Sequence, residues 1–348
     1  MKILAIETSC DETAAAIIED GCHIISNVVA SQIPLHQKTG GVVPEVASRA
    51  HIEKIILVIN EALLRPDRNP EHSGLIEVRS QSNIDAIAVT VGPGLIGSLL
   101  IGVNTAKALA WAWQKPLIPV NHLEAHLYAN WLSSLVSRLS SVPTFPCLHL
   151  LVSGGHTMLI WQEDHGKLKV VGQTRDDAAG EAFDKTARLL GLPYPGGPEL
   201  SKLAQKGNPK AYNFPRAMLN QNNFDFSFSG LKTSVRASLL DLSNLSNLSD
   251  LSASVEQAIV DALVEKSIRA VRQLKPKSFA LSGGVSANRV LRETIKNEIG
   301  KIIGAQNIFI PPIEFCTDNA AMVGAAAAFY NPNAIDPKKV LAKSDLTL

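Results

Sequence analysis

Short apolar runs separated by polar turns recur along the chain and predict two halves of similar construction. Residues 2–6 form an apolar run, residues 7–13 a polar turn, and residues 14–18 a second apolar run. The same arrangement returns at 147–160, where two apolar runs flank a Ser-Gly-Gly-His turn at 153–156. Short apolar runs bounded by turn residues are typical of buried strands. We therefore predict a strand, turn, strand unit in each half.

A second kind of unit, a strand followed by paired glycines and a helix, also occurs twice. The two copies are 84–89 leading into the glycines at 92–94 and a helix through Ala110, and 278–281 leading into the glycines at 283–284 and a helix beginning near Ser286. Strands alternating with helices predict an α/β fold. Because both kinds of unit occur in each half, we predict two similarly built lobes.

The remaining segments are predicted from apolar spacing and composition. We expect helices over 47–64 and 319–330, a polar surface connection over 65–81, a loose Leu/Ser/Asn-rich surface insertion at 242–251, and a mobile tail after Pro332. The alanine-rich helix at 319–330 should return to pack on the first lobe. We accordingly assign residues 1–130 with 319–348 to an N-terminal lobe and 131–318 to a C-terminal lobe.

Composition and charge narrow the class of protein. A chain of 348 residues with 46% hydrophobic content is long enough for two domains with sizeable cores. The formal net charge is only +1, so contact with a nucleic acid would rest on a local basic patch or on a partner. The four cysteines have no paired spacing, which favours free thiols in a reducing compartment. Without a signal-peptide core or a long apolar run, we expect a cytoplasmic protein that contacts no membrane.

His122 and His126 lie four residues apart in the segment His-Leu-Glu-Ala-His. On a helix, this spacing places both imidazoles on one face, where they could bind one metal ion. Two ordinary helix histidines would give the same pattern, so spacing alone leaves both readings open. A zinc peptidase is disfavoured, because its signature needs glutamate directly after the first histidine and Leu123 stands there.

Asp318 precedes the predicted alanine-rich helix and has two possible roles. A short carboxylate at the start of a helix typically caps it, and we take capping as the default. The same carboxylate could instead be the third ligand of the histidine pair. Two histidines and one carboxylate with open positions suit iron or zinc acting as a Lewis acid.

Three glycine-rich turns, at 92–97, 153–156 and 282–288, each follow an apolar strand. Exposed backbone amides in such turns can approach phosphates closely. Together with the polar turn at 8–12 they predict a nucleotide site, although neither a dinucleotide fingerprint nor a P-loop is present. The acidic segment 176–185 fits a solvated helix face or a ribose contact, for which Asp184 is the better candidate. The Phe-Ser-Phe-Ser segment at 226–229 could stack a base or form a half-buried strand.

Ten of these segments, in order, resemble the tRNA threonylcarbamoyladenosine transferase family. They are IETSCDET at 6–13, GGVVPEVASRAH at 40–51, GPGLIGSLLIG at 92–102, HLEAH at 122–126, VSGGHT at 152–157, DDAAGEAFDK at 176–185, YPGGP at 194–198, FSFSGLKT at 226–233, LSGGVSAN at 281–288 and CTDNAAM at 316–322. The resemblance covers nearly the whole chain. It implies the two-lobed actin/sugar kinase/heat-shock ATPase-like fold, each lobe a mixed sheet flanked by helices, with the active site in the interlobe cleft.

The resemblance also implies roles for particular residues. It makes His122, His126 and Asp318 the metal ligands. For Asp318, this role replaces the helix-capping role that we take as the default. Substrate binding would fall to Val152, Ser153, Gly154, Gly155, His156, Asp184, Gly197 and Asn288, and catalysis to Ser9, Asp11 and Glu12. Ser201 stands where some family members carry an acid that helps to hold the substrate, so we leave it out.

By the same resemblance, the chain transfers threonylcarbamoyl from threonylcarbamoyl-AMP to adenosine 37 of tRNAs that read codons beginning with adenine. One divalent metal, Fe(II) in preference to Zn(II), and an adenine nucleotide, threonylcarbamoyl-AMP or ATP, are the expected ligands. The expected partners are tRNA, an inactive TsaB-like paralogue, a small TsaE-like P-loop ATPase, and a separate synthase that supplies the adenylate. A sugar kinase of the same fold and a non-catalytic scaffold subunit are the alternatives. Neither explains the metal histidines.

Overall fold

The structure is a computed structural model that describes residues 1–64, 83–132, 142–240, 248–329 and 336–348. The chain forms two compact units: a first unit of residues 1–142 with 311–348, and a second unit of residues 143–310. The sequence places these boundaries at 130 and 318. Asp318 belongs to the first unit, where its carboxylate lies against His126.

The first unit is a five-stranded mixed sheet with helices around it, in the order β3-β2-β1-β4-β5. Its elements are β1 (Lys2–Glu7), β2 (Glu12–Glu19), β3 (His23–Ser31), α1 (Ile33–Gln37), α2 (Pro44–Leu64), β4 (Ala86–Gly92), α3 (Ile96–Trp113), β5 (Leu117–Asn121), α4 (His122–Tyr128) and, from the later segment, α10 (Ala320–Phe329). Strands β1, β2 and β3 pair antiparallel, whereas β4 and β5 pair parallel beside β1.

The second unit repeats this plan. Its elements are β6 (Cys147–Val152), β7 (Thr157–Asp164), β8 (Lys167–Gln173), α5 (Ala179–Leu189), α6 (Gly196–Ala204), α7 (Ser229–Leu240), α8 (Leu248–Leu274), β9 (Ser278–Ser282), α9 (Arg289–Ile303) and β10 (Ile308–Phe309). The strand order is β10-β9-β6-β7-β8, with β6, β7 and β8 antiparallel and β9 and β10 parallel.

The two sheets therefore match strand for strand, which confirms the predicted pair of similarly built α/β lobes. The sequence pattern does not predict the third antiparallel strand of each sheet, which is β3 in the first unit and β8 in the second. In β8, six of the seven side chains are exposed or half-buried and one is buried. The strand therefore contains no apolar run that a sequence pattern could detect. Edge strands of this kind carry too little hydrophobic signal to be recognised by pattern.

The first sheet is covered on both faces, which explains why residues 3–6 of β1 and 86–89 of β4 are apolar without a break. Leu4 and Ile6 pack in a core with Val58 of α2 and Val103 of α3. Ala5, whose side chain points the other way, lies close to Gly324 of α10. Strands buried on both faces lose the alternation of polar and apolar residues. Truncating a buried leucine such as Leu4 to alanine should cost about 2–5 kcal/mol.

Two expectations about irregular segments need correction. Leu248–Leu251 of the expected insertion begin α8, with Leu251 fully buried; its residues 241–247, like 65–82 and 330–335, lie outside the described residues. The tail is also ordered where it is described: Lys343 donates its amide to Val91 O at 2.7 Å, and Val340 is only 3% exposed. An apolar side chain in the core holds this segment down.

Two expectations from composition concern thiols and membranes. None of the four cysteines forms a disulfide bond. None of the described helices is both long enough and apolar enough to cross a bilayer.

Candidate metal centre and substrate-binding turns

The two histidines of the HLEAH segment lie on α4, which follows β5 without a loop. Asn121 caps this helix by accepting a hydrogen bond from Leu123 N at 2.9 Å. One helical turn separates the rings of His122 and His126, whose centroids lie 4.7 Å apart at an interplanar angle of 79°. The predicted common face is therefore present, and both imidazoles lie side by side.

Asp318 completes a cluster with these histidines. Its Oδ1 lies 3.1 Å from His126 Nε2 and 3.5 Å from His122 Nε2, and one ligand atom from each residue falls within 4.8 Å of the others. The cap of α10 is a different residue, because Asn319 Oδ1 accepts the hydrogen bond from Met322 N at 3.0 Å. The default reading of Asp318 as a helix cap is thus wrong, and its carboxylate is left for the histidines.

The donor set fits a divalent metal ion. Both ring nitrogens of His126 are buried and lack a hydrogen-bond partner among the described residues; the approach of Nε2 to Asp318 is an electrostatic contact without hydrogen-bond geometry. Buried polar atoms without partners are costly. Two imidazole nitrogens and one carboxylate oxygen facing one point would be satisfied by iron or zinc.

A buried carboxylate lies behind His122. Glu7 Oε2 is 3.1 Å from His122 Nδ1, and Ser9 Oγ lies at the same distance from that nitrogen. Burial opposes protonation of His122, but the carboxylates of Asp318 and Glu7 together raise its pKa to about 9. Burial likewise opposes ionisation of Asp318, yet His122 lowers the pKa of that carboxyl to about 2. The attraction between the imidazole and the two carboxylates therefore offsets part of the cost of burying these groups.

Of the predicted catalytic residues, Ser9 and Asp11 lie on the turn between β1 and β2, and Glu12 is the first residue of β2. Ser9 is buried against His122, whereas Asp11 and Glu12 are half-buried. Burial, reinforced by Asp318, raises the pKa of Asp11, and burial raises the pKa of Glu12 to about 8. Glu12 Oε1 accepts a hydrogen bond from Ser31 Oγ at 2.8 Å, while its Oε2 has no hydrogen-bond partner among the described residues.

In the second unit, the predicted turn from Val152 to His156 joins β6 to β7. Ser153 Oγ accepts a hydrogen bond from His156 N at 3.1 Å and fixes the turn. Gly154 and Gly155 are exposed, and a Cβ on either would meet nothing within 4 Å. Packing does not require glycine here, so the open backbone is available to a ligand.

Asp184 and Gly197 lie next to each other. The side chain of Asp184, on α5, accepts a hydrogen bond from Gly197 N at the start of α6 at 3.0 Å. Gly180, one turn earlier on α5, donates its amide to Ser153 O at 3.2 Å. The structure therefore links the SGGH turn, Asp184 and Gly197 through α5. Burial raises the pKa of Asp184, although hydrogen bonds from the start of α6 oppose this effect.

Asn288 is held at the start of α9. Its Oδ1 caps the helix by accepting from Leu291 N at 2.9 Å, and its Nδ2 donates to Glu256 Oε1 at 2.6 Å and to Ser201 Oγ at 3.0 Å. Glu256 is only 6% exposed. Ser201, which we left out of the sequence-based site, thus contacts a residue that we included.

Two other predicted ligand contacts have structural roles instead. In the glycine turn at 92–97, a Cβ on Gly92 would collide with Lys343 O and one on Gly94 with Ser9 O, so protein backbone fills the space expected for a phosphate. Phe226 and Phe228 are buried and stack on each other, so neither ring is available to a base. Their segment leads into α7 and is not a strand.

Comparison with known proteins identifies the family. Residues 23–325 match the family described as TsaD, tRNA N6-adenosine threonylcarbamoyltransferase. The proteins of that name from Bacillus subtilis and Geobacillus thermodenitrificans are 51% and 50% identical to the chain, covering 94% and 93% of it and 89% and 90% of their own lengths. The chain belongs to this family. It is accordingly a transferase of tRNA modification, and neither a sugar kinase nor a non-catalytic scaffold.

Solved structures support the fold assignment of this family member. HypF from T. kodakarensis matches with a TM-score of 0.60 at 14% identity, covering 98% of the chain and 49% of HypF. Component A of (R)-2-hydroxyglutaryl-CoA dehydratase from Acidaminococcus fermentans matches with a TM-score of 0.52 at 16% identity, covering 95% and 97%. At these identities the likeness concerns the fold alone, and it confirms the two-lobed actin/sugar kinase/heat-shock ATPase-like class.

Two residues of this transferase escaped the sequence analysis. Glu7 is the last residue of β1 and is fully buried, whereas the sequence pattern assigns it to a polar turn. Glu256 lies within α8, where one acidic residue among many on a long helix gives no signal. A charged residue directly after a run of buried strand positions could have drawn attention to Glu7.

Proposed function

We propose that the chain transfers the threonylcarbamoyl group of threonylcarbamoyl-AMP to the exocyclic amine of adenosine 37 in tRNAs reading codons that begin with adenine. The observation that carries this proposal is the His122, His126 and Asp318 cluster, whose ligand atoms lie within 4.8 Å in a chain of the TsaD family. The amine nitrogen forms a bond to the carbamoyl carbon, the bond from that carbon to the phosphate oxygen breaks, and AMP leaves.

The three clustered residues would hold one divalent ion, Fe(II) in preference to Zn(II). When bound there, such an ion supplies a Lewis acid that stabilises negative charge developing on a donor oxygen. No serine or cysteine nucleophile is needed, because the mixed anhydride already carries a good leaving group. Consistent with this, burial raises the pKa of Cys10 and suppresses its thiolate.

We assign the adenylate part of the donor to the second unit. The exposed amides of Gly154 and Gly155 suit phosphate oxygens, since no side chain occupies the space above them. Asp184 uses its hydrogen bond to Gly197 to hold the start of α6, and its second carboxylate oxygen is assigned to a ribose hydroxyl. ATP carries the same adenylate group, so these residues would accept it as well.

Glu12 is the proposed acceptor for the proton that the amine loses. One of its carboxylate oxygens is anchored by Ser31 and the other has no hydrogen-bond partner among the described residues. A general base works best when its pKa lies near the working pH, and burial brings the pKa of Glu12 to about 8. Asp11 would then contact the polar atoms of the donor next to the reacting carbon.

The proposed partners are tRNA, a TsaB-like paralogue, a TsaE-like P-loop ATPase and a synthase that supplies the adenylate. Large apolar side chains exposed on the mutually packed helices α2 and α3 support a protein partner on the first unit; they are Ile52, Ile56, Leu57, Ile96, Leu100 and Trp111. A net charge of +1 fits a protein that shares tRNA binding with partners. Since the proposed substrate is tRNA, we place the activity in the cytoplasm.

The test is transfer of labelled threonylcarbamoyl from its adenylate to an unmodified tRNA, with candidate partners and metal supplied. His122→Ala and Asp318→Ala should abolish transfer, whereas His23→Ala, at an exposed histidine of the same unit, should leave it unchanged. Circular dichroism should show all three variants folded. Absence of transfer by the wild-type protein, or full transfer by both ligand variants, would contradict the proposal.

A further inference from the structure

Glu7 is a buried carboxylate with an unusual set of partners. It is 0% exposed, and its hydrogen-bond donors are Ser9 N at 2.5 Å, Thr90 Oγ1 at 2.6 Å and His122 Nδ1 at 3.1 Å. Among the described residues, its one ion-pair contact is with His122. Burying a carboxylate is costly unless it is paired and hydrogen-bonded, so this placement calls for an explanation beyond packing.

The hydrogen bonds fix the carboxylate from outside the metal-bearing helix. Oε1 receives the backbone amide of Ser9, and Oε2 receives the hydroxyl of Thr90 on β4. Oε2 is also the atom that faces His122 Nδ1. The ring of His122 therefore meets an acceptor whose position does not depend on α4.

This contact decides which nitrogen of His122 is available to a metal. A ring that donates from Nδ1 keeps its lone pair on Nε2, the nitrogen 3.5 Å from Asp318 Oδ1. Histidines that bind metals typically donate their other nitrogen to a carboxylate, which fixes the ring and its tautomer. The two carboxylates, Glu7 and Asp318, would also balance the charge of one divalent ion.

We propose that Glu7 is a positioning residue that orients His122 for metal binding; this inference rests on the proposed metal centre. Ser9 Oγ is the competing acceptor, 3.1 Å from the same nitrogen. Hydrogen bonds to an ionised acceptor are roughly twice as strong as those between neutral groups. Glu7 is therefore the dominant partner of Nδ1, and Ser9 contributes less.

The experiment measures the Zn²⁺ affinity of the full chain by competition with a chromogenic chelator, without any assay of transfer. Glu7→Gln keeps the shape of the side chain and removes its charge, and it should weaken Zn²⁺ binding by about 10- to 100-fold. Ser9→Ala should change the affinity by less than about threefold, because it leaves the carboxylate in place. Ser26→Ala, which removes a buried hydroxyl of β3 bonded to Ala62 O, is the matched control and should bind as the wild type does.

The outcomes separate this inference from the proposed metal centre. Loss of Zn²⁺ binding in His122→Ala with unchanged affinity in Glu7→Gln would overturn the role of Glu7 alone. Absence of Zn²⁺ binding by the wild type would overturn both. If Glu7→Gln does not fold, Thr90→Val decides: it leaves the carboxylate but removes one of its anchors, and unchanged affinity in that variant would also overturn the inference. A several-fold loss with metal-free unfolding like that of Ser26→Ala would support it.

Discussion

The first and second units share one topology but build their polar clusters in different ways. In the first, the side chains of His122, His126 and Asp318 converge in a cluster in which His126 is buried and Asp318 is partly exposed. In the second, the SGGH turn offers exposed backbone with open space above it. A site made of side chains depends on residue identity, whereas a site made of backbone depends on the absence of side chains. The following predictions test that contrast.

The largest effect is expected where two adjacent residues divide the roles of ligand and cap. Asp318→Asn should reduce Zn²⁺ affinity by more than the roughly 10- to 100-fold typical of outer-shell changes, because it removes the only charged ligand. Asn319→Ala should instead leave metal affinity near wild type and cost about 0.5–2 kcal/mol of stability, because Asn319 caps α10. Chelator competition and urea unfolding measure the two effects. If both changes weaken metal binding equally, Asp318 and Asn319 do not have separate roles as ligand and helix cap.

A second prediction concerns His149, a buried histidine of the second unit that lies outside the metal cluster. His149 in β6 bonds to Gln162 Oε1 at 2.7 Å, and burial lowers its pKa from 6.5 to about 4. As the pH falls below 6.5, the unfolded chain binds a proton that the folded chain refuses until about pH 4, so the free energy of unfolding decreases over that interval. At roughly 1.4 kcal/mol per pKa unit, the loss between pH 6.5 and pH 4 is about 3.5 kcal/mol at most.

His149→Gln keeps a donor for Gln162 and removes the titration. Urea unfolding of the metal-free protein between pH 7 and pH 4 should therefore show a flatter dependence on pH in the variant, with metal affinity unchanged. Parallel pH curves for variant and wild type would show that His149 does not govern this acid sensitivity.

The third prediction concerns glycines. Gly154→Ala should raise the KM for the adenylate donor by about tenfold, equivalent to losing a hydrogen bond or two of about 1 kcal/mol each, without changing thermal stability. Gly230→Ala, where a Cβ also meets open space outside the proposed site, is the control: it should leave the KM unchanged and, because Gly230 lies in helix α7, should not lower stability. Gly92→Ala should behave oppositely and destabilise by more than about 1 kcal/mol, because its φ of +151° and Lys343 O exclude a Cβ. If Gly154→Ala lowers thermal stability, glycine is required at this position for packing, which contradicts the proposed role in donor binding.

The smallest effect is expected at Glu256, which holds Asn288 by one hydrogen bond. Glu256→Ala should raise the KM for the donor by about fivefold, as expected for one lost hydrogen bond, with kcat largely retained. Glu256→Gln, which preserves an acceptor, should recover most of the loss. If Gln and Ala behave alike, Asn288 does not depend on this contact.

Local patterns predicted much of the fold and part of the candidate site. The i, i+4 spacing of His122 and His126 was enough to place both rings on one face, because a helix fixes that geometry. Whether Asp318 or Asn319 caps α10 was beyond the pattern, since both side chains can cap. Glu7 was missed because two of its partners, Thr90 on β4 and His122 on α4, lie far along the chain. The role of Gly92 was missed for the same reason, as Lys343 lies near the other end of the sequence.

The division of the first unit into two separate stretches of sequence has a consequence for biosynthesis. Residues 143–310, the whole second unit, leave the ribosome between the stretch that carries His122 and His126 and the stretch that carries Asp318. Domains generally fold as units while the chain is being made, so the second unit can fold before the first is complete. The nascent chain therefore presents a histidine pair without its carboxylate until the whole second unit has been synthesised, and the three residues can meet only after that.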